Sequence, residues 1–181
     1  MKKPTCATFF LELIFCATIM LLQTRSKGSV IIGFGEVFTI ENTDFKVDIS
    51  KEYKAAFDIM NSPKSTEDLN TSIETAARFL NMHAQSAVPI EQLKVALVVH
   101  NKASKDLITH EAYQKRYGTD NPNLELIQAL LDTGGEIIFC GQSSIACDFP
   151  KEELIKGVQL SLSAMTALIQ LQDEKYRLIE V

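Results

Sequence analysis

Cys140 stands where a short apolar run, Glu136-Ile-Ile-Phe139, gives way to Gly141, Gln142, Ser143 and Ser144. That junction of a strand pattern with small and polar residues suits thiol chemistry. The thiolate, not the thiol, is the nucleophile, and it is favoured where the free main-chain N–H groups of a starting helix point at the sulfur. Ligands of open α/β sheets sit at the carboxyl ends of the strands, which is where this pattern puts Cys140. Gly141, Gln142 and Ser143 are the expected donors. His100 and Asn101 close a second apolar run at the same edge, and Asp58 to Asn61 close a third, so His100, Asn101 and Asn61 are the candidate neighbours. A cysteine at a strand end can equally be an inert small hydrophobe. Cys147 is a second thiol with less in its favour.

Other chemistries fit the residues poorly. No histidine follows Cys140, so the cysteine-to-histidine order of papain-like proteases is missing. His83 and His110 fall on expected helices, where solvation is their simplest fate. Ala146 occupies the position at which a Cys-x5-Arg phosphate loop needs its arginine. Gly33-Phe-Gly35-Glu-Val-Phe38 keeps two of three fingerprint glycines and is followed by no convincing helix, which argues against a dinucleotide site. Cys140 and Cys147 have no adjacent histidine or acidic cluster, so neither a metal site nor any cofactor is expected.

The elements that must position Cys140 follow from periodicity. Tyr53 to Ile59 reads as a strand stopped by Asn61-Ser-Pro63, since proline cannot extend a ladder. Leu69, Ile73, Ala76, Ala77, Leu80 and Ala84 make a helical stripe, with Ser65 or Thr66 as the expected cap. Leu93 to His100 is almost continuously apolar and β-branched, as a strand covered on both faces must be. Helices are expected over Asp106 to Tyr117 and Asn123 to Thr133, the second closed by Gly134-Gly135. After the strand Glu136 to Cys140 come a short helix, a helical piece opened by Pro150, a strand near Gly157 to Leu162, a helix over Ser163 to Gln172, and a last strand at Tyr176 to Ile179. Strands alternating with helices imply parallel pairing through right-handed crossovers.

The chain has 181 residues, 46% of them hydrophobic, which suits one domain with a substantial core. Lys2 and Lys3 precede an apolar run, Phe9 to Leu22, and polar Gln23 to Ser26 follow, the pattern of a secretory signal peptide. Residues 1–26 are therefore expected to be a cleaved leader, 27–50 an amino-terminal arm with one or two edge strands, and 51–181 the folded domain, exported to a periplasm or beyond and not stably inserted in the membrane. Cleavage removes Lys2, Lys3, Arg25 and Glu12, leaving 15 basic against 22 acidic residues and a formal charge of −7 in place of −5. Nucleic acid is excluded as a partner on that balance. Cys6 and Cys16 leave with the leader, and a helix between Cys140 and Cys147 would hold them ~10 Å apart, too far for a disulfide.

The succession Val95-Ala-Leu-Val-Val-His100, a helical pair with Leu126-Ile-Gln-Ala-Leu130, Gly135-Glu-Ile-Ile-Phe-Cys140-Gly-Gln-Ser143, and Leu162-Ser-Ala-Met-Thr-Ala-Leu168 resembles the DsrE/DsrF-like family, which includes YchN-like proteins. The likeness covers about residues 50 to 181. It implies a three-layer α/β fold, a mostly parallel five-stranded sheet with helices on both faces, and assembly as a homotrimer or homohexamer. It also implies sulfur carried on Cys140 as a persulfide, with a sulfur donor or acceptor protein as partner. The leader and the arm depart from the cytoplasmic relay proteins of that family. The expected function is thus a small exported thiol protein of sulfur metabolism. The alternative is a noncatalytic oligomeric α/β binding module using the same sheet-edge pocket.

Overall fold

Alternation along the strands decides which side chains meet which layer. The computed structural model describes residues 25, 26 and 28–181. The expected leader lies outside the described residues except for Arg25 and Ser26, which form β1 (Arg25–Ser26) and pair antiparallel with β2 (Val37–Phe38). The main sheet uses β3 (Tyr53–Ile59), β4 (Leu93–Val99), β5 (Glu136–Cys140), β6 (Gln159–Ser161) and β7 (Arg177–Glu180) in the order β6-β5-β4-β3-β7. Every pairing in it is parallel. Around it lie α1 (Thr71–Gln85), α2 (His110–Tyr117), α3 (Leu124–Asp132), α4 (Gly141–Ala146) and α5 (Ala164–Asp173).

Odd-numbered strand residues, among them Ala55, Phe57, Ile59, Val95, Leu97, Val99, Ile137 and Phe139, share one buried cluster with Ile73, Leu80, Leu126 and Leu130 of α1 and α3. Even-numbered ones, Ala56, Ala96, Val98 and Cys140, share the other with Ala164, Ala167 and Leu171 of α5. This is the three-layer arrangement, and its two faces differ in bulk. Alanines on both sides of the second interface let α5 lie close to the sheet. The chain steps from β3 to β6 in one direction and then crosses back under α5 to place β7 beside β3. Right-handed crossovers that run in opposite directions put their helices on opposite faces, which is why α5 alone covers its side.

Two boundaries differ from the sequence reading. Helix α1 begins at Thr71, capped by Asn70, whose side chain accepts from Ser72 N at 3.0 Å. Ser65 instead accepts from Glu67 N in a local turn, and the Thr66 carbonyl is taken by the Tyr113 hydroxyl. Asp106 opens no helix: Asn101–Leu107 is a 3₁₀ turn, and α2 starts at His110 behind a Thr109 cap. The reason is a buried polar cluster. Asp106 is fully buried, and its carboxylate receives Ser62 Oγ, Asn70 Nδ2, Lys105 Nζ and Asn123 Nδ2 at 2.7 to 3.2 Å. Asn121 Nδ2 binds the carbonyls of Asp106 and Ile108, so those groups are unavailable to a helix.

The arm is held by one residue. Asn81, fully buried on α1, accepts from Val30 N and Ile31 N and donates to the carbonyls of Ile31, Phe34 and Gly35. Gly35 has φ 63°, and a Cβ there would fall 2.4 Å from Arg78 N, so its glycine serves close packing on α1. Among the described residues, no helix is long and apolar enough to cross a membrane.

Candidate functional site

Cys140 ends β5 on the α5 face and is the residue before the first turn of α4. The turn is possible because Gly141 lacks a side chain: a Cβ would come within 2.5 Å of the Ser161 carbonyl on β6. Sequence reading made Gly141 a donor to the sulfur, whereas the structure shows it letting β6 pass. Cys140 is 6% exposed. Burial pushes its thiol pKa up, but the main-chain N–H and hydroxyl of Ser143 and the N–H groups of Ala164 and Gln142 outweigh it, and the net position is below the ordinary value. Three of these donors, the Gln142 N–H and the N–H and hydroxyl of Ser143, come from the first turn after the strand; Gly141, also expected as a donor, is not among them, and the Ser143 hydroxyl was not expected. The fourth, Ala164 N–H, comes from the start of α5 and was not foreseen, because nothing local in sequence ties residue 164 to residue 140.

The Ser143 hydroxyl also links two strands. It accepts from Asn101 N at 3.1 Å, which joins the turn after β4 to the turn after β5. Asn101 takes φ 55°, a left-handed conformation that asparagine tolerates better than most residues. His100 remains extended, its N–H continuing the ladder to the Ile59 carbonyl, and its ring meets Asp58 Oδ1 at 2.9 Å. Gln142 is exposed and reaches the Leu162 carbonyl at 3.4 Å.

His100, Asn101, Gly141, Gln142 and Ser143 are thus gathered about the carboxyl ends of β4 and β5 with Cys140. Asn61 is placed elsewhere: its carbonyl accepts from Asn70 Nδ2 at 2.8 Å, which ties it to the Asp106 cluster on the α1 side. Cys147 is exposed at the end of α4, and both cysteines are free. His83 and His110 are half-buried rather than solvated. His83 packs against Phe79 and Tyr53 and bonds the Phe79 carbonyl, while His110 Nδ1 accepts from Asn121 N at 3.1 Å. Among the described residues no group of three or more His, Cys, Asp or Glu is arranged to hold a metal ion.

The family model that matches residues 54–181, the span holding nearly all of the main sheet and the turn after Cys140, is that of the DsrE/DsrF-like family. The chain belongs to the DsrE/DsrF-like family. Two solved structures share the fold of this DsrE/DsrF-like domain. One is MTH1491, a protein of unknown function from Methanobacterium thermoautotrophicum, and the other is the ychN protein from E. coli. Each is 16% identical, has a TM-score of 0.54, and aligns over 71% of this chain and 99% of its own. No curated protein matches the sequence. The family is associated with sulfur relay, and residues 1–53 of this chain lie outside the family match.

Proposed function

We propose that this protein is an exported sulfur carrier in which Cys140 accepts sulfane sulfur as a persulfide. The observation that carries the reading is the position of Cys140 at the carboxyl end of β5, directly before the first turn of α4, where neighbouring N–H groups and the Ser143 hydroxyl hold the thiol below its ordinary value despite its burial. The step needs no external oxidant. The Cys140 thiolate attacks the terminal sulfur of a donor persulfide R–S–SH, a new S–S bond forms as the donor's S–S bond breaks, and the electron pair leaves with R–S⁻. Cys140 ends as Cys–S–SH, and the reverse step hands the sulfur to an acceptor thiolate. The alternative of a noncatalytic binding module draws on the 6% exposure of the thiol, which leaves an incoming donor little room.

Exposure to glutathione persulfide followed by mass spectrometry separates the two readings. Sulfur should add to Cys140 in the wild type and in Cys147→Ser and be absent from Cys140→Ser, with the circular dichroism of all three unchanged. Equal loading of wild type and Cys140→Ser, or loss only through unfolding, favours the binding module.

Assembly and export belong to the same proposal. Leu162, just before α5, and Met165 and Ile169 on it are 72%, 73% and 60% exposed, an apolar patch that a homotrimer or homohexamer would bury. Light scattering should give three or six times the chain mass, and a monomer at micromolar concentration contradicts the assembly. Export rests on Lys2-Lys3 and the Phe9 to Leu22 run. Amino-terminal sequencing of protein from the periplasm or medium should begin before about Gly28 but after the apolar run.

A further inference from the structure

We infer that the hydrogen-bonded pair Asp58 and His100 is the proton acceptor of the Cys140 thiol, with His100 taking the proton and Asp58 positioning its ring. The inference rests on Cys140 being the reactive thiol. Three facts bring the groups together. Strand parity puts Asp58, like Ala56, and His100, like Val98, on the α5 face to which Cys140 also belongs. The register of β4 with β5 pairs Val98 with Ile138 and Val99 with Phe139, so the next rung sets His100 beside Cys140, with adjacent strands ~4.8 Å apart. His100 follows the last paired rung, Val99 with Phe139, and its backbone is still extended with its N–H on the Ile59 carbonyl of β3, so its side chain keeps the face that strand parity gives it.

The pair has the chemistry of a proton acceptor. A carboxylate only accepts, so Asp58 Oδ1 at 2.9 Å takes the Nε2–H of His100 and leaves Nδ1 of the neutral ring with its lone pair. A proton arriving at Nδ1 makes an imidazolium that the Asp58 charge stabilises. The bookkeeping closes. Cys140–SH gives its proton to Nδ1, the thiolate displaces R–S⁻ from R–S–SH, and the imidazolium returns the proton to R–S⁻. Both side chains are partly shielded, at 22% and 33% exposure, which strengthens their interaction over that of a surface pair.

The remaining charges around the ring are few. Glu180 of β7 pairs beside Asp58 in the ladder, and Lys102 follows in the 3₁₀ turn that begins at Asn101. Helix α4 carries no charged side chain, and α5 carries none until Asp173 at its far end. Asp58 is accordingly the one carboxylate bonded to His100 among the described residues.

The test is the pH dependence of Cys140 alkylation by iodoacetamide in the full chain, followed on the Cys140 peptide by mass spectrometry. His100→Gln should slow alkylation about tenfold near pH 6.5 and converge on the wild type near pH 10, where solvent removes the proton. Asp58→Asn should shift the profile the same way by about threefold, since the amide holds the ring but no longer stabilises its charge. Added imidazole should restore His100→Ala. Profiles that superimpose on the wild type overturn the inference, as does slowing by one factor at every pH, which marks a merely structural effect. Glutathione persulfide loading is scored separately. A His100-dependent profile without sulfur loading sinks the carrier reading alone, and loading with superimposed profiles sinks the proton-acceptor pair alone.

Discussion

Ser143→Ala removes a hydroxyl that accepts from Asn101 N and that helps hold the Cys140 thiol below its ordinary value. Hydrogen bonds to charged groups contribute ~1.5 to 3 kcal/mol, and a diffuse thiolate sulfur belongs at the lower end. The thiol midpoint should therefore rise toward its ordinary value. The Ser143 N–H stays, as do those of Gln142 and Ala164, so the midpoint should not rise further. At neutral pH the alkylation rate should fall by roughly five- to tenfold and recover in alkali. Asn101 is exposed, so water replaces the lost partner and stability changes by under about 1 kcal/mol. The linkage has a definite sign. A folded-state pKa below the unfolded value contributes stability that is full above about pH 8.5 and fades as pH falls through the folded midpoint, and Ser143→Ala should shrink that increment. Ser144→Ala is the control. Ser144 is buried and donates to the Phe149 carbonyl at 2.7 Å, so its loss should cost about 1 to 2 kcal/mol in urea unfolding while the alkylation profile stays put. A Ser143→Ala midpoint that does not move, or a Ser144→Ala midpoint that moves as far, refutes the assignment of the hydroxyl to the thiolate.

Two structural predictions accompany it. Asp106→Asn keeps the volume but turns an amide NH₂ toward donors that already converge there, so urea midpoints should fall by an amount equivalent to about 2 to 4 kcal/mol with m unchanged. An unaltered midpoint would mean that the cluster does not depend on an all-acceptor group. Asn81→Ala strips five hydrogen bonds from the arm, at roughly 2 to 4 kcal/mol of local stability. Limited proteolysis should then cut between residues 28 and 36 much faster, and an unchanged cleavage rate would show that the arm is held by something else.

Much of the fold was legible because burial leaves a simple mark on strands. Leu93 to Val99 reads as continuous apolar sequence since α1 packs on its odd positions and α5 on its even ones, and Glu136 to Cys140 carries the same mark. Cys140 was legible because it ends an apolar run that gives way at once to Gly141, Gln142, Ser143 and Ser144, the mark of a strand running into a turn. Polar residues that point inward left no such mark. Asn81, Asn70 and Asp106 sit in stretches that periodicity assigns to solvent or to a cap, yet each is buried by partners 36 to 53 positions away. Ser65 and Thr66 have the chemistry of a helix cap, and they lost that role because Asn70 is fixed by Asp106 and Asn123. Asn61 lies two residues past the end of β3, where the chain has left the ladder, and its carbonyl is taken by Asn70 Nδ2 on the α1 side.

The place of β7 beside β3 has a consequence for the order in which the protein matures. The last strand to be made completes the sheet next to the first, and the Ala164 N–H that faces the sulfur arrives on the helix leading to it. At synthesis rates of about 5 to 20 residues per second, Cys140 exists for a second or more before residue 164 and somewhat longer before β7 can dock. Throughout that interval the thiol lacks one of its four donors and the cover of α5. The domain therefore emerges with an ordinary cysteine and acquires a tuned one only once α5 and β7 have docked, so its reactivity is tied to completion of the sheet.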